Sequence, residues 1–283
     1  MLITMGEMLI EAKKKNYAIP APNVWDEFSI RAAIEAGEEC DSPVILDGSY
    51  EESKGDKAPQ IMYEQMLYAI PMAKAAKVPV AINLDHGKTF KQAMIAIKAG
   101  YTSVMIDCSS CPFEENVEKV KQVVDAAHAV GVSVEAELGH VGRGTNYAVD
   151  GKANLTRPEE AIKYVEFTGV DCLAVAVGTA HGPYIGTPHI DFERLEEIRN
   201  AVDIPLVMHG GSGTGDVNLS KAARSGINKV NLYTDLVTAG MNELRKFDLG
   251  NEYDFSKAVK VAFEGYKSKI KFYMDLLGSS NNA

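Results

Sequence analysis

The sequence predicts an α/β chain folded as a closed (β/α)8 barrel, a TIM barrel, with an additional C-terminal helix. Three observations predict it. Short apolar runs alternate with longer amphipathic segments, the crossovers that parallel strands require. The runs are almost continuously apolar, as in Val78-Pro-Val-Ala-Ile-Asn-Leu-Asp85 and Cys172-Leu-Ala-Val-Ala-Val-Gly178, which fits strands covered on both faces. Eight such units fit within 283 residues, the size of one barrel, and no linker divides the chain, so residues 1–283 read as one domain.

The strands are expected at Tyr17–Ala21, Pro43–Leu46, Val78–Leu84, Ser103–Ile106, Ser133–Leu138, Cys172–Val177, Leu206–His209 and Lys229–Leu232. Between them, 3.6-residue apolar periodicity predicts helices over Glu27–Ala36, Gln60–Ala76, Phe90–Ala99, Glu114–Val130, Pro158–Thr168, Phe192–Val202 and Asn218–Ser225. Gly37, Pro79, Gly100, Gly131, Gly169, Pro205 and Gly226 mark the joints. Two loops are long, Ser49–Pro59 and Gly139–Arg157, a length that suits binding loops or lids. In the extra helix, Phe255–Leu277, the residues Val259, Ala262, Phe263, Tyr266, Ile270, Tyr273 and Leu277 share a face. The residues from Gly278 to Ala283 read as a frayed end.

Asp and Glu outnumber Lys and Arg 39 to 29, giving a net charge of −10. That balance argues against a nucleic-acid partner, which needs clustered basic residues. It leaves room for an anionic small molecule held by backbone N–H groups. No signal peptide is expected, because Glu7 and Glu11 interrupt the start. No apolar stretch reaches the ~18 residues of a membrane span. Four scattered cysteines make no disulfide framework and point to the cytoplasm. Cys108-Ser-Ser-Cys111 has redox spacing but no second pair, and reads as two small residues beside a strand end.

In a barrel the chemistry gathers at the C-terminal ends of the strands. The third strand ends in Asp85-His86, the fourth in Asp107, and the fifth carries Glu135 and Glu137. The sixth leads into Gly178-Thr-Ala-His181-Gly182, the seventh into His209-Gly-Gly-Ser-Gly213, and the eighth into Asn231-Leu-Tyr-Thr234-Asp235. Three histidines far apart in sequence thus fall at one mouth, a set that suits a divalent transition metal, most often zinc, with one open position. His128 lies mid-helix and His189 before a helix start; neither meets this placement rule. Asp85 reads either as a general acid or base or as a group that orients His86. Asp107 and Glu137 read either as ligands of a second cation or as acids balancing charge. Gly210-Gly-Ser-Gly213 after strand seven and Asn231–Thr234 after strand eight occupy the usual phosphate position of this fold.

Together these motifs resemble the class II, metal-dependent fructose-bisphosphate aldolases, in the branch with the tagatose-bisphosphate aldolases. The likeness runs from Asn23 and Ser49 to the terminal Gly-Ser-Ser-Asn. It is carried by Asn-Leu-Asp85-His86-Gly, Ser-Val-Met-Ile-Asp107, Val-Glu-Ala-Glu137-Leu-Gly, Gly-Thr-Ala-His181-Gly182, His209-Gly-Gly-Ser212-Gly and Lys-Val-Asn231. The resemblance implies catalytic Zn2+ on His86, His181 and His209, and a second divalent or monovalent cation at Asp107 and Glu137. It implies proton exchange by Asp85. Contacts to dihydroxyacetone phosphate would come from Gly182, Gly210, Gly211, Ser212, Asn231, Leu232, Tyr233 and Thr234, with Ser49 near the aldehyde. It also implies a phosphorylated sugar substrate, such as fructose or tagatose 1,6-bisphosphate, and a homodimer or homotetramer.

The loop after strand five departs from the family. Its pattern carries a glutamate that moves the proton of the three-carbon fragment; here the loop reads Gly142-Arg143-Gly-Thr-Asn-Tyr147-Ala-Val-Asp150-Gly. Arg143 cannot serve, with a pKa above about 12. His140, Tyr147 and Asp150 are the candidate substitutes. Asp47-Gly48 and Tyr233 also look unusual for the family. These departures raise two alternatives: altered substrate or epimerase/isomerase chemistry, and a non-catalytic sugar-phosphate sensor.

Overall fold

The computed structural model describes residues 1–142, 155–182, 184, 188–247 and 255–283. It begins with a helix not expected from the sequence, α1 (Met5–Lys15). Thr4 and Glu7 cap its start reciprocally, each side chain accepting from the other's backbone N–H. Its Met5 and Gly6 N–H groups donate to the hydroxyls of Ser103 and Ser133, at the bottom of two barrel strands.

Eight strands follow: β1 (Ile19–Pro22), β2 (Val44–Ser49), β3 (Val80–Gly87), β4 (Ser103–Ile106), β5 (Ser133–Leu138), β6 (Cys172–Val175), β7 (Leu206–Met208) and β8 (Ile227–Leu232). They form one parallel sheet in the order β1-β8-β7-β6-β5-β4-β3-β2. An Asn23–Asp47 bridge and the Val24 N–H to Asp47 carbonyl bond, 2.9 Å, join β1 to β2 across the seam. This is the expected TIM-barrel architecture. Around it lie α2 (Glu27–Cys40), α3 (Ala58–Ala75), α4 (Phe90–Ala99), α5 (Phe113–His128), α6 (Pro158–Thr168), α7 (Phe192–Ala201), α8 (Asp216–Arg224), α9 (Thr234–Lys246) and α10 (Phe255–Leu277). A 3-10 turn, Glu52–Lys57, occupies the long loop after β2.

Strand alternation divides the core in two. Outward residues such as Val44, Leu46, Ile82, Leu84, Val134 and Val230 pack with the helices. Inward residues of the lower barrel, Ile19, Ile45, Ala81, Met105, Cys172 and Val207, pack with Met5, Met8 and Leu9 of α1, which plugs the bottom. Above them the interior turns polar: Asp47, Asn83, Glu135 and Lys229 are all 0% exposed.

Two expectations are corrected. The sequence reading places a loop at Asn231–Thr234 and no helix after it, whereas α9 begins at Thr234. Tyr233 stands at its N-cap position and makes no side-chain cap bond, so the local start signal is missing. The C-terminal residues are not frayed. Ser279 is buried, its hydroxyl accepts from Ser42 at 2.8 Å, and the N–H groups of Asn281, Asn282 and Ala283 donate to the carbonyls of Cys40 and Asp41. Tertiary partners hold a polar tail that composition alone marks as loose.

Candidate active site

β3 positions the first two groups. Alternation would send Asp85 and His86 to opposite faces. The register between β3 and β4 shifts between Leu84 and Gly87, and His86 adopts φ 49°, in the left-handed region. That local strain, of a kind concentrated at functional sites, keeps both side chains at the mouth, with Asp85 Oδ1 3.9 Å from His86 Nε2.

His181 and His209 complete the convergence. His86 Nε2 lies 3.2 Å from His181 Nε2 and 2.9 Å from His209 Nδ1. A tetrahedral ion with nitrogen ligands at about 2.0–2.1 Å sets them about 3.3 Å apart. The outer nitrogens are all engaged: His86 Nδ1 by Asp107 Oδ2 at 2.9 Å, His209 Nε2 by Glu135 Oε1 at 2.8 Å, and His181 Nδ1 by the Val141 carbonyl at 3.1 Å. Carboxylates and a carbonyl can only accept, so the outer nitrogens donate and the inner ones present lone pairs to one another. Such a set needs a positive charge at its centre, and carboxylate–histidine pairs are the usual support of a metal ligand. The three residues therefore fit a divalent cation.

Electrostatics agree. Burial works to lower His86, but the Asp85 charge and the Asp107 hydrogen bond outweigh it and raise the imidazole to about 9. His181 is pushed down to about 4 by burial and by the other two rings. Without a cation the cluster thus concentrates one proton on His86. Burial would raise Asp85, yet His86, His209 and Lys229 hold it down at about 2. It is a carboxylate at neutral pH, clamped by the amides of Asn23 at 2.9 Å and Asn231 at 3.0 Å.

A second cluster joins His86, Asp107 and Glu137, whose ligand atoms lie within 4.8 Å of one another. Lys88 Nζ sits 2.5 Å from Asp107 Oδ2 and supplies a positive charge there. Glu137 Oε1 accepts from the Val141 N–H, and its buried Oε2 has no partner among the described residues. Burial pushes the Glu137 carboxyl up. His140 lies at the edge, 3.0 Å from Ser109 Oγ and 3.9 Å from Glu137 Oε1. Arg143, Tyr147 and Asp150 lie outside the described residues.

The phosphate-type loops meet as expected. Ser212 Oγ accepts from the N–H groups of Tyr233 and Asp235, both at 3.2 Å, and so caps α9 from the neighbouring loop. Asp235 in turn accepts from the Gly213 N–H at 3.1 Å. Gly210 has φ 68°, and a Cβ there would fall 2.2 Å from the Ala180 carbonyl oxygen. Gly211 donates to the Asn231 carbonyl at 3.2 Å, joining the two loops. A cavity of about 760 Å³ opens above. Its lining includes Ser49, Asp85, His86, His181, Gly182, Gly210, Ser212, Asn231, Leu232, Tyr233 and Thr234, all singled out from sequence. Gly211, His209, Asp107 and Glu137 are not among its lining residues.

Several contributors were missed. Asn23, Val24, Trp25 and Glu51 also line the cavity. Beneath it Lys229 Nζ contacts Glu135 at 2.8 Å and Asp47 at 3.4 Å, and Asn83 donates to Asp47 at 2.8 Å. Their signal was present as period-2 polar residues inside apolar strands: Asp47, Asn83 and Asp85, Glu135 and Glu137, Lys229 and Asn231. His128 pairs with Asp171 at 2.8 Å, away from the cluster. The unusual Gly48 leaves space for Tyr101, whose hydroxyl would lie 2.5 Å from an added Cβ.

The family model for class II fructose-bisphosphate aldolase matches residues 3–282. The chain is 40% identical to a fructose-bisphosphate aldolase of Staphylococcus aureus, covering 100% of this chain and 99% of the relative. It is 40% identical, over the same shares, to a probable fructose-bisphosphate aldolase of Bacillus subtilis. Among solved structures, the YdjI aldolase from Escherichia coli K12 superposes with a TM-score of 0.87 at 33% identity, with 100% of both chains covered.

Proposed function

Since the chain belongs to the class II fructose-bisphosphate aldolase family and is an aldehyde-lyase, we propose that it reversibly cleaves a ketose phosphate to dihydroxyacetone phosphate and an aldehyde, using zinc. The observation that carries this reading is the convergence of three imidazoles whose outer nitrogens are all bonded to acceptors, with Asp85 3.9 Å from His86.

His86, His181 and His209 would hold the zinc, which when bound polarises the substrate ketone and stabilises negative charge on the three-carbon fragment. The phosphate is held at Gly182, Gly210–Ser212 and Asn231–Thr234, where backbone donors and the start of α9 favour an anion. Asp85, anionic and held by Asn23 and Asn231, accepts the proton of the C4 hydroxyl. The C3–C4 bond then breaks, C4 becomes the aldehyde, and its electron pair passes to the fragment, which takes up one proton at C3. In the reverse direction Asp85 returns its proton. His140, 3.0 Å from Ser109 Oγ and 3.9 Å from Glu137 Oε1, is the described candidate to serve C3. Asp107 and Glu137 support a second cation beside His86.

The residue pattern of the loop over positions 139–157 favours a substrate other than fructose 1,6-bisphosphate. The reading also carries a homodimer or homotetramer, supported by the exposed Phe28 stacked on Phe263 at 5.1 Å, and a cytoplasmic location. The test combines metal analysis with a cleavage screen that reads dihydroxyacetone phosphate release. A metal-loaded protein that releases none from any ketose phosphate would overturn it.

A further inference from the structure

We propose that the aldehyde partner carries no phosphate, so that the preferred substrate is a ketose 1-phosphate rather than a ketose bisphosphate, and that Glu51 enforces this choice. The inference rests on the aldolase reading above and names its substrate class.

The cavity has two arms around His86 and Asp85. One runs to the loops after β6, β7 and β8, where α9 begins at Thr234 and the positive end of its dipole favours an anion. The other runs to the loops after β1 and β2 and is lined by Trp25, Ser49 and Glu51. With the phosphate in the first arm and the C4 hydroxyl at Asp85, the carbons beyond C4 enter the second.

The second arm is built against an anion. No lysine or arginine is among its described lining residues, and the only charge beyond Asp85 is the Glu51 carboxylate. Lys54, 3.6 Å from Glu51, does not line the cavity and at most neutralises that acid. The helix start beside Trp25 is already closed: the Asp26 carboxylate accepts from the Ser29 N–H, and Glu27 follows. The 3-10 turn likewise opens with Glu51 and Glu52. A terminal phosphate would therefore meet like charge, whereas hydroxyl groups find Ser49 and Glu51 as hydrogen-bond partners and Trp25 as an apolar wall. Repulsion of the wrong partner, rather than added affinity for the right one, sets such a preference.

The test runs the enzyme in the condensation direction, with dihydroxyacetone phosphate and either glyceraldehyde or glyceraldehyde 3-phosphate, each as both enantiomers, following dihydroxyacetone phosphate consumption. The wild type should show at least tenfold higher kcat/KM with the uncharged aldehyde. Glu51→Lys should move the ratio toward the phosphorylated aldehyde by at least tenfold, with zinc content unchanged. A wild-type preference for the phosphorylated aldehyde, or a ratio unmoved by Glu51→Lys, would overturn the proposal and leave the aldolase reading standing. No consumption of dihydroxyacetone phosphate with either aldehyde, by the zinc-loaded protein, would remove both.

Discussion

Lys229 and Glu135 form an ion pair of 2.8 Å with both side chains fully buried, and the second oxygen of the same carboxylate holds His209 Nε2. The pair stands one layer below the three imidazoles. Burial opposes ionisation of both groups, but the Lys229 charge holds the carboxyl of Glu135 down, and the charges of Asp47 and Glu135 hold the ammonium of Lys229 up. Replacing Lys229 by Met leaves Glu135 and Asp47 without their cation. The expected cost is about 3–5 kcal/mol of stability, the range for breaking one side of a buried pair. Urea unfolding of the metal-free protein measures it, and a loss below about 1 kcal/mol would contradict the role.

His209→Ala should abolish cleavage and lower bound zinc to a small fraction of one per chain. Elemental analysis after dialysis checks this. Full occupancy in that variant would remove His209 from the ligand set.

Asp85→Ala should keep the metal and lose most of the rate, by a factor of about 10² to 10⁴. Its contacts with Asn23 and Asn231 mark it as a held base rather than a support for His86, whose ring is already held by Asp107. Turnover near that of the wild type would restore the orienting role.

Metal affinity should rise with pH. His86 is raised to about 9 in the metal-free cluster, so at pH 7 an incoming ion must displace its proton. Binding strengthens as pH climbs toward 9 and levels off above it, at about tenfold per unit for one proton. Competition titrations at several pH values, corrected for metal hydrolysis, read the slope; a flat profile from pH 6 to 8 would contradict it.

Gly211→Ala should raise KM for phosphorylated substrates more than it changes zinc content. The new Cβ would fall 2.4 Å from Val230 Cγ1 and 2.9 Å from the Asn231 carbonyl oxygen, forcing the loops after β7 and β8 apart. Kinetics with dihydroxyacetone phosphate as the varied substrate test this, and an unchanged KM would show that the loops tolerate the methyl group.

The barrel and the meeting of three histidines at its mouth were legible because periodicity and strand ends are local properties of a sequence. His86, His181 and His209 needed only the rule that strand ends meet at one mouth. That Asp85 and His86 share this mouth was not legible, since it depends on a register shift and a left-handed residue. α9 escaped because its cap, Ser212, comes from another loop. The Asp47–Lys229–Glu135 layer was hidden because each residue alone looks like an interruption of an apolar strand; only the closed barrel places opposite charges across from one another.

The plug formed by α1 also has a kinetic consequence. With Met5, Met8 and Leu9 sealing the lower barrel, and the charged layer filling the space above them, the described residues form a floor without an opening. Substrate entry and the departure of both fragments must share the mouth. Traffic through a blind pocket is ordered by depth, so a piece bound nearer the rim has to leave before one bound beneath it.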